Sequence, residues 1–224
     1  MQRLSHEERI QKIIEIKKPL NKQEVSPINF SSTQAICVNP NCWAITTPDS
    51  ATPIIGSYGA GPCLIVVLHD PTTFTVVTHM FAATNPNFLG QFLDYMNPET
   101  TIAHLMGGGL MGEIGAFFKK DAPPLSTNLE TFQLLTSRNI KIKTIDIGRG
   151  DSFGFKVEDA TSIAIHARTG EIYAPVSDHN FACKSTTFNK PINEYSISTF
   201  ITSLKKITSD SLQELQQSSF CYRK

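Results

Sequence analysis

Apolar residues in this chain are grouped in short runs separated by glycine, proline and polar residues, which is typical of β-strands rather than of long helices. Two neighbouring runs, 63–68 and 74–80, flank the turn His69-Asp-Pro-Thr-Thr73, and this arrangement predicts a pair of adjacent strands. Glycine, proline, serine and threonine dominate 46–61, which predicts a loop with a brief extended piece at 54–55. Further strands are predicted at 34–38, 101–106, 140–147, 153–157 and 162–166, with a hairpin turn at 168–171.

Helical spacing of apolar residues occurs in four segments, which are 5–18, 88–95, 127–138 and 194–217. Pro19 ends the first segment, and Thr127 with Glu130 fits a capping box at the start of the third. Because strands and helices do not alternate regularly, the pattern predicts an α+β fold. We divide the chain into an N-terminal helix and linker at 1–33, a core at 34–175 and a largely helical C-terminal extension at 176–224.

Charge and hydropathy restrict the classes of partner. Lysine plus arginine and aspartate plus glutamate number 20 each, so no strongly basic field indicates a nucleic acid partner. No apolar run reaches the roughly 18 residues expected of a membrane-spanning helix, and the charged N-terminus lacks the apolar segment of a secretory signal. We therefore expect no membrane span, and a location in the cytoplasm of the producing cell or delivery into a host cytosol by a specialised secretion system.

The cysteines indicate reduced thiols rather than a disulfide framework, because they are sparse and odd in number. Cys37 and Cys42 could form half of a metal site, but no second pair and no nearby histidine completes a tetrahedral set. We therefore expect no metal, with one of these two cysteines in a strand and the other, Cys42, in a loop. The five cysteines are Cys37, Cys42, Cys63, Cys183 and Cys221.

A cysteine and a histidine on the two central strands could carry chemistry. Glycines in Gly59-Ala-Gly-Pro62 allow a sharp turn that leads into Cys63, and the next strand carries His79. Neighbouring strands can bring a thiol and an imidazole together, and a paired imidazolium would hold the thiolate ionised at neutral pH. Amide N–H groups of the turn could stabilise the oxyanion formed by attack on a carbonyl. The alternative is that Cys63 is a small core residue and His79 a hydrogen-bonded strand histidine.

Two other histidines and a glycine run have structural interpretations. His69 precedes Asp70-Pro71 in a turn and is predicted to be exposed, whereas His104 lies in an apolar strand and is predicted to be a hydrogen-bonded core residue. Gly107-Gly-Gly109 is not followed by the lysine and hydroxyl residue of a phosphate-binding loop. It therefore predicts a tight turn or a close approach to the active site.

The order of these features resembles CheD, the chemoreceptor glutamine deamidase family of bacterial chemotaxis. The similarity covers roughly residues 34–175, so this segment is expected to be a CheD-like deamidase core. It implies an α/β/β/α fold, a sandwich of two mixed β-sheets with flanking helices, which is related to the folds of bacterial toxins that deamidate host glutamines. The matching pieces are Ser57, Gly59-Ala-Gly-Pro-Cys63, the strand 64–68 closed by Asp70-Pro71, Thr78-His79-Met80, Met106-Gly-Gly-Gly109, 140–148, Phe153-Gly-Phe-Lys156 and Thr169-Gly-Glu171.

The resemblance implies that Cys63 is the nucleophile, His79 the general acid/base and Ser57 the hydroxyl residue that orients the imidazole. Ser57 stands where the family usually has threonine, and Pro62 replaces a serine and so removes one backbone donor. The implied activity is that of a protein-glutamine glutaminase, a cysteine hydrolase that converts a glutamine side chain of a target protein to glutamate and releases ammonia. An amine in place of water would give transglutamination. No metal or cofactor is required, and no substrate-binding residue is identified.

The target implied by the resemblance is a protein that presents a glutamine. It is either a chemoreceptor or a host protein, and the added terminal helices favour the host protein and hence a virulence effector. A regulatory partner protein is also possible. Two alternatives stay open: a non-catalytic CheD-like binding module that docks a partner protein, and a cysteine peptidase that cleaves the peptide chain.

Overall fold

Two mixed β-sheets form the framework of the protein in a computed structural model, which describes residues 8, 15–16, 18–61, 63–81, 84–108, 127–147, 161–174, 176–181 and 188–206. These residues contain the strands β1 (Val25–Ser26), β2 (Ala35–Cys37), β3 (Cys42–Thr46), β4 (Ile54–Ala60), β5 (Leu64–His69), β6 (Thr75–Met80), β7 (Ile102–Gly107), β8 (Lys141–Ile147), β9 (Thr161–His166), β10 (Ile172–Tyr173) and β11 (Lys190–Pro191). The helices are α1 (Leu89–Leu93), α2 (Thr127–Ser137) and α3 (Glu194–Lys206). The predicted α+β sandwich of two mixed sheets with flanking helices is confirmed.

The strand order in the smaller sheet is β1-β10-β9-β4-β2, and in the larger sheet it is β11-β3-β6-β5-β7-β8. In the smaller sheet β1 with β10 and β2 with β4 are parallel, whereas the other pairs are antiparallel. In the larger sheet only β7 with β8 is parallel among the paired strands. The three strands β3, β6 and β5 therefore form an antiparallel centre. Two cysteines and a histidine lie on these strands or directly beside them.

The larger sheet is buried on both faces. Its outer face packs under the helices, through Leu89 and Phe92 of α1, Leu135 of α2 and Ile197 of α3. Its inner face packs against the smaller sheet, and we call this apolar region the inter-sheet layer. Because side chains alternate between two buried faces, β5 and β6 are continuous buried runs, which is why the sequence identifies them so clearly. The inter-sheet layer comprises Ile36, Val38, Ala44, Ile55, Ala60, Ile65, Val67, Val77, Met106, Ile163, Ile165 and Ile172.

Segments outside the predicted core also join the sheets. Strand β1 extends the smaller sheet, and β11 pairs with β3 of the larger one. Helix α3 packs on Trp43, whose ring centroid lies 5.2 Å from that of Phe200 and whose Nε1 donates to Ser196 Oγ at 3.2 Å. The division of the chain at residues 33 and 176 stays a prediction.

The hairpin of β5 and β6 is held in one register from Leu64 opposite Met80 to His69 opposite Thr75. Asp70 fixes its turn by accepting hydrogen bonds from Thr72, Thr73, Thr100 and the backbone N–H of Asn97. Burial alone would raise the pKa of this carboxyl, but these donors stabilise the carboxylate and lower it. A fixed turn matters because a slip by one residue would turn every side chain of the strand to the opposite face.

Two strands differ from the sequence-based prediction. Segment 54–60 is a full strand rather than a brief extended piece, and Gly56 allows it because a Cβ there would collide with the backbone of β9 at Ile163 and Ala164. Cys42 lies at the start of β3, so its predicted loop position is wrong. Most of the predicted helix 5–18, the strand 153–157 and residues 207–217 of the last helix lie outside the described residues, although Glu8 and Glu15 are helical.

His69 is buried at the sheet interface, so the prediction that it is exposed is wrong. It shares a strand face with Ile65 and Val67, and its Nδ1 is hydrogen-bonded to Thr75 Oγ1 at 2.8 Å. His104 is buried as predicted, with Nδ1 bonded to Thr144 Oγ1 at 3.0 Å, but its Nε2 has no partner among the described residues. Burial lowers the pKa of His69 to about 4 and that of His104 to about 3.

We expect the free energy of unfolding to fall as the pH is lowered from about 6.5 to about 4, because unfolded histidine takes up a proton near pH 6.5 whereas the buried imidazoles do not. The stabilisation from neutral His69 is complete above about pH 6.5. It is lost with a limiting slope of about 1.4 kcal/mol per pH unit, and His69→Asn should remove that share. Urea unfolding of both proteins at several pH values measures the difference. The exposed His179 provides the control, His179→Gln, and equal slopes in the wild type and His69→Asn would contradict the prediction.

Candidate active site

The predicted site residues come from both sheets. Ser57 lies on β4 of the smaller sheet, His79 lies on β6 of the larger one, and Cys63 comes directly before β5. The structure brings Ser57 and His79 into contact, with 2.8 Å between Ser57 Oγ and His79 Nδ1. Both side chains are fully buried, so this hydrogen bond joins the two sheets away from water.

The bonding of Ser57 assigns the proton on His79. The Ser57 hydroxyl donates to the backbone carbonyl of Val38 at 2.6 Å, so its oxygen is left to accept from the imidazole. The proton of the neutral ring is therefore on Nδ1, and the lone pair is on Nε2. Among the described residues, this buried Nε2 has no hydrogen-bond partner. His104 also leaves its buried Nε2 unpaired, so the feature that singles out His79 is the unpaired nitrogen together with a cysteine, Cys63, diagonal to it on the next strand.

Val38 is held in place by a residue far along the chain. Asn189 accepts from the backbone N–H of Asn39 at 2.7 Å and donates to the carbonyl of Cys37 at 2.8 Å. These two bonds bracket Val38 on either side. Asn189, in the C-terminal part, thus helps to hold the carbonyl that accepts from Ser57, together with the bond from the Val38 N–H to Gly56, and no sequence motif connects Asn189 with the site.

Cys63 is a diagonal neighbour of His79. The register places Ile65 directly opposite His79, and Cys63 precedes Ile65 by two residues, so its thiol belongs to the same inter-sheet face. Diagonal neighbours in an antiparallel pair have backbone positions about 7–8 Å apart. Because Nε2 of His79 has no partner among the described residues, the thiol and the imidazole share a face without a hydrogen bond between them.

A second thiol lies on the other side of His79. Cys42 of β3 is directly opposite His79 and also packs on the inter-sheet layer. Neighbouring strands lie about 4.8 Å apart, so the backbones of β3 and β5 are separated by roughly 9–10 Å across β6, which is too far for a disulfide between Cys42 and Cys63. Because Cys42 was predicted to lie in a loop, its place beside His79 was missed. The strand-like run Cys-Trp-Ala-Ile-Thr at 42–46 is the sequence signal that could have predicted a strand there.

The site is electrically neutral in its resting state. Burial raises the pKa of the Cys63 thiol and that of Cys42, and burial lowers the pKa of His79 to about 4 despite the opposing effect of the Val38 carbonyl. At neutral pH both thiols are protonated and the imidazole is uncharged. The expected thiolate–imidazolium pair is therefore not the ground state of this structure, because neither charge is solvated between the sheets.

The glycines after β7 approach the backbone of Cys63, as the sequence predicted for this run. The N–H of Gly108 donates to the carbonyl of Cys63 at 2.6 Å, and a Cβ on Gly107 would lie 2.5 Å from that carbonyl oxygen. Both residues have positive φ, +88° for Gly107 and +58° for Gly108, which favours glycine. Gly109 and Pro62 lie outside the described residues.

Neither a metal cluster nor a membrane span is found in the described ranges. No group of three or more histidine, cysteine, aspartate or glutamate side chains within them could hold a metal ion. Within the same residues, every helix is too short or too polar to cross a bilayer.

We expect Cys63 to react with iodoacetamide slowly at neutral pH and faster as the pH rises past about 8.5, the pKa of free cysteine, because burial favours its thiol form. Mass spectrometry of the peptides that contain Cys63 and Cys42 separates the two rates, and Cys42→Ala and Cys63→Ala assign them. The wild-type protein in denaturant provides the unperturbed profile. Fast alkylation of Cys63 well below pH 8, lost in His79→Ala, would instead demonstrate a preformed ion pair.

Comparisons with known proteins do not identify a relative. No protein-family model matches the chain, and no curated protein matches its sequence at a significant level. The resemblance to CheD consequently depends on the sequence motifs alone.

Proposed function

We propose that this protein is a CheD-like protein-glutamine deamidase, with Cys63 as nucleophile and His79 as general acid/base. The observation that carries the proposal is the hydrogen bond from His79 Nδ1 to Ser57, which leaves the basic nitrogen Nε2 buried and without a partner in the described residues. Leaving a buried polar atom unpaired costs about 1–3 kcal/mol. Such a cost is understandable where the atom has a chemical task.

The reaction begins from the neutral pair. As the sulfur of Cys63 attacks the carboxamide carbon of a glutamine, Nε2 of His79 removes the thiol proton, and the new C–S bond gives a tetrahedral intermediate. The imidazolium then protonates the amide nitrogen, the C–N bond breaks and ammonia leaves a thioester. His79 next removes a proton from water, whose oxygen attacks the thioester. The C–S bond breaks, the thiolate regains its proton from His79, and glutamate is released.

Ser57 keeps the imidazole in the correct tautomer throughout this cycle. Its hydroxyl accepts a hydrogen bond from Nδ1 and donates one to the Val38 carbonyl, so neutral partners hold the Nδ1 side of the ring. When the imidazolium forms, the same Nδ1–H bond becomes charge-assisted and therefore stronger. The arrangement thus stabilises the intermediate state of His79 more than its resting state, which is a requirement for catalysis.

We infer that the substrate side chain reaches Cys63 at the end of the β5–β6 hairpin opposite its turn. Cys63 is half-buried, and Phe81, which follows β6 one residue beyond the last registered pair of the hairpin, is 48% exposed. A glutamine side chain entering at this end would displace water from the thiol and bring its carbonyl carbon to the sulfur. The proton transfer to His79 is then driven by attack on the substrate rather than by a stable thiolate.

We propose only the class of the target protein, which is either a chemoreceptor or a host protein. A chemoreceptor would match a role in bacterial chemotaxis in the cytoplasm of the producing cell, and a host protein would match a delivered effector with a role in virulence. One observation favours a second function, the non-catalytic binding module. Burial raises the thiol pKa and lowers the imidazole pKa, and neither shift activates the nucleophile before a substrate binds.

Incubating the protein with bacterial and with eukaryotic cell extracts should produce target glutamines converted to glutamate, detected as a one-unit mass gain with ammonia release. In water labelled with oxygen-18, each new carboxylate should carry one labelled oxygen. Cys63→Ser should abolish the conversion, and His79→Ala should slow it by about 10²- to 10⁴-fold because proton transfer is lost. Ser57→Ala should slow it by about 10- to 100-fold, with Ser57→Thr close to wild type.

Cys42→Ala is the matched control for this experiment, because it removes a buried thiol that also neighbours His79 but should leave conversion unchanged. Conversion that survives Cys63→Ser and disappears in Cys42→Ala would move the nucleophile to β3. Cleaved peptide bonds in place of mass gains would support a peptidase. Stable capture of a protein without any conversion by the wild type would support the binding module.

A further inference from the structure

The first turn of α2 contacts the glycine tip of β7. Asn128 is buried, with 5% of its surface exposed, and its Nδ2 donates to the carbonyl of Gly108 at 2.6 Å. The amide also packs directly against the Cα of Gly108, leaving no room for a Cβ on that residue. One side chain of the helix thus fixes both the position and the orientation of this peptide unit.

The same peptide segment holds the backbone of Cys63. The N–H of Gly108 donates to the Cys63 carbonyl, and the Cα of Gly107 lies against that carbonyl and against Ala60. Cys63 itself lies outside the regular part of β5, whose registered pairs with β7 end at Leu64 and Gly107. Gly108 therefore supplies a backbone contact to the candidate nucleophile, Cys63, which directly precedes the first residue of β5.

Glycines in the left-handed region do not hold such a position by themselves. Their backbones have the widest conformational freedom of any residue, so a Gly-Gly tip needs an external contact to keep one geometry. Thr127, the neighbour of Asn128, bonds through its hydroxyl to the carbonyl of Thr84 at 3.0 Å. The start of α2 is thereby attached to the body of the protein, and Asn128 transmits that fixed position to Gly108.

We propose that Asn128 is a positioning residue that holds the Cys63 thiol in its half-buried place on the His79 face, acting through Gly108. The relevance to catalysis rests on the proposed function, in which Cys63 is the nucleophile. Loss of the Asn128 amide leaves the Gly108 carbonyl without this donor and frees the tip. The thiol then becomes more exposed while its alignment with His79 and the substrate is lost, so its reactivity towards a small reagent rises as turnover falls.

The test compares Asn128→Ala and the isosteric Asn128→Asp with Thr136→Val, which alters an exposed position of the same helix far from Gly108. Asn128→Asp keeps the shape of the side chain but places an oxygen against the Gly108 carbonyl, and it serves if the alanine variant does not fold. Iodoacetamide alkylation of Cys63 and of Cys42 is measured against pH in the intact proteins. Conversion of glutamine in the extracts and the melting temperature are measured in parallel.

We expect both Asn128 variants to shift the pH profile of Cys63 towards that of free cysteine and to raise its alkylation rate several-fold at neutral pH, with Cys42 and the Thr136→Val protein unchanged. Conversion should fall by about 10- to 100-fold, as expected when a reacting group is misplaced by about 1 Å. Equal shifts at Cys63 and Cys42 would mean general loosening and would overturn the proposal, as would an unchanged Cys63 profile. If the wild type converts no glutamine but the Cys63 profile shifts as expected, the positioning role stands and the deamidase function fails.

Discussion

Burial of the larger sheet on both of its faces is the constraint on which the other features of this protein depend. Helices cover one face and the smaller sheet covers the other, so the polar groups on β5 and β6 have little or no access to bulk water. Every such group consequently needs an internal partner or a neutral charge state. His69 on β5 and His104 on the neighbouring β7 meet this need by pairing with threonines and by being uncharged. His79 meets it through a serine that belongs to the opposite sheet.

The same exclusion of bulk water limits the kind of cysteine chemistry that the candidate site can support. A preformed ion pair would require two charges in a region that solvates neither, whereas a neutral thiol beside a neutral imidazole is stable there. In the proposed reaction, charges would exist only transiently, when the attack on the substrate compensates for their formation. Such a thiol is protected from casual oxidation and alkylation, because the thiolate is the reactive species.

Local sequence signals were sufficient to predict those elements whose pattern is contained within a few residues. The β5–β6 hairpin, helix α2 and the turn between β9 and β10 follow from apolar runs, a capping pair and a turn motif, and each is observed. The burial of His69 was missed because it depends on the smaller sheet, which lies on the other side of the strand. The strand character of 56–60 was missed because Gly56 fits a close contact with β9, a neighbour about a hundred residues away.

The candidate site follows the same division. The pairing of Ser57 with His79 was implied by the resemblance to CheD, since spacing alone does not say which strands of two sheets face each other. The registers that put Cys42 opposite His79 and Cys63 on its diagonal are long-range properties of the sheet. Asn128 and Asn189 belong to no recognisable motif, and only the folded chain relates them to the candidate site residues.

The clamp that Asn189 forms around Val38 has a consequence for the order of events on the ribosome. Asn39 leaves the ribosome 150 residues before its partner, which corresponds to on the order of ten seconds of synthesis at about 5–20 residues per second. Cys63, His79 and Ser57 all exist during that interval, and the N–H of Val38 can already bond to the Gly56 carbonyl, but the peptide units on either side of Val38 still lack their contacts with Asn189. The candidate site of a chain that lacks Asn189 would therefore be held less firmly, and its final geometry depends on synthesis of the C-terminal part.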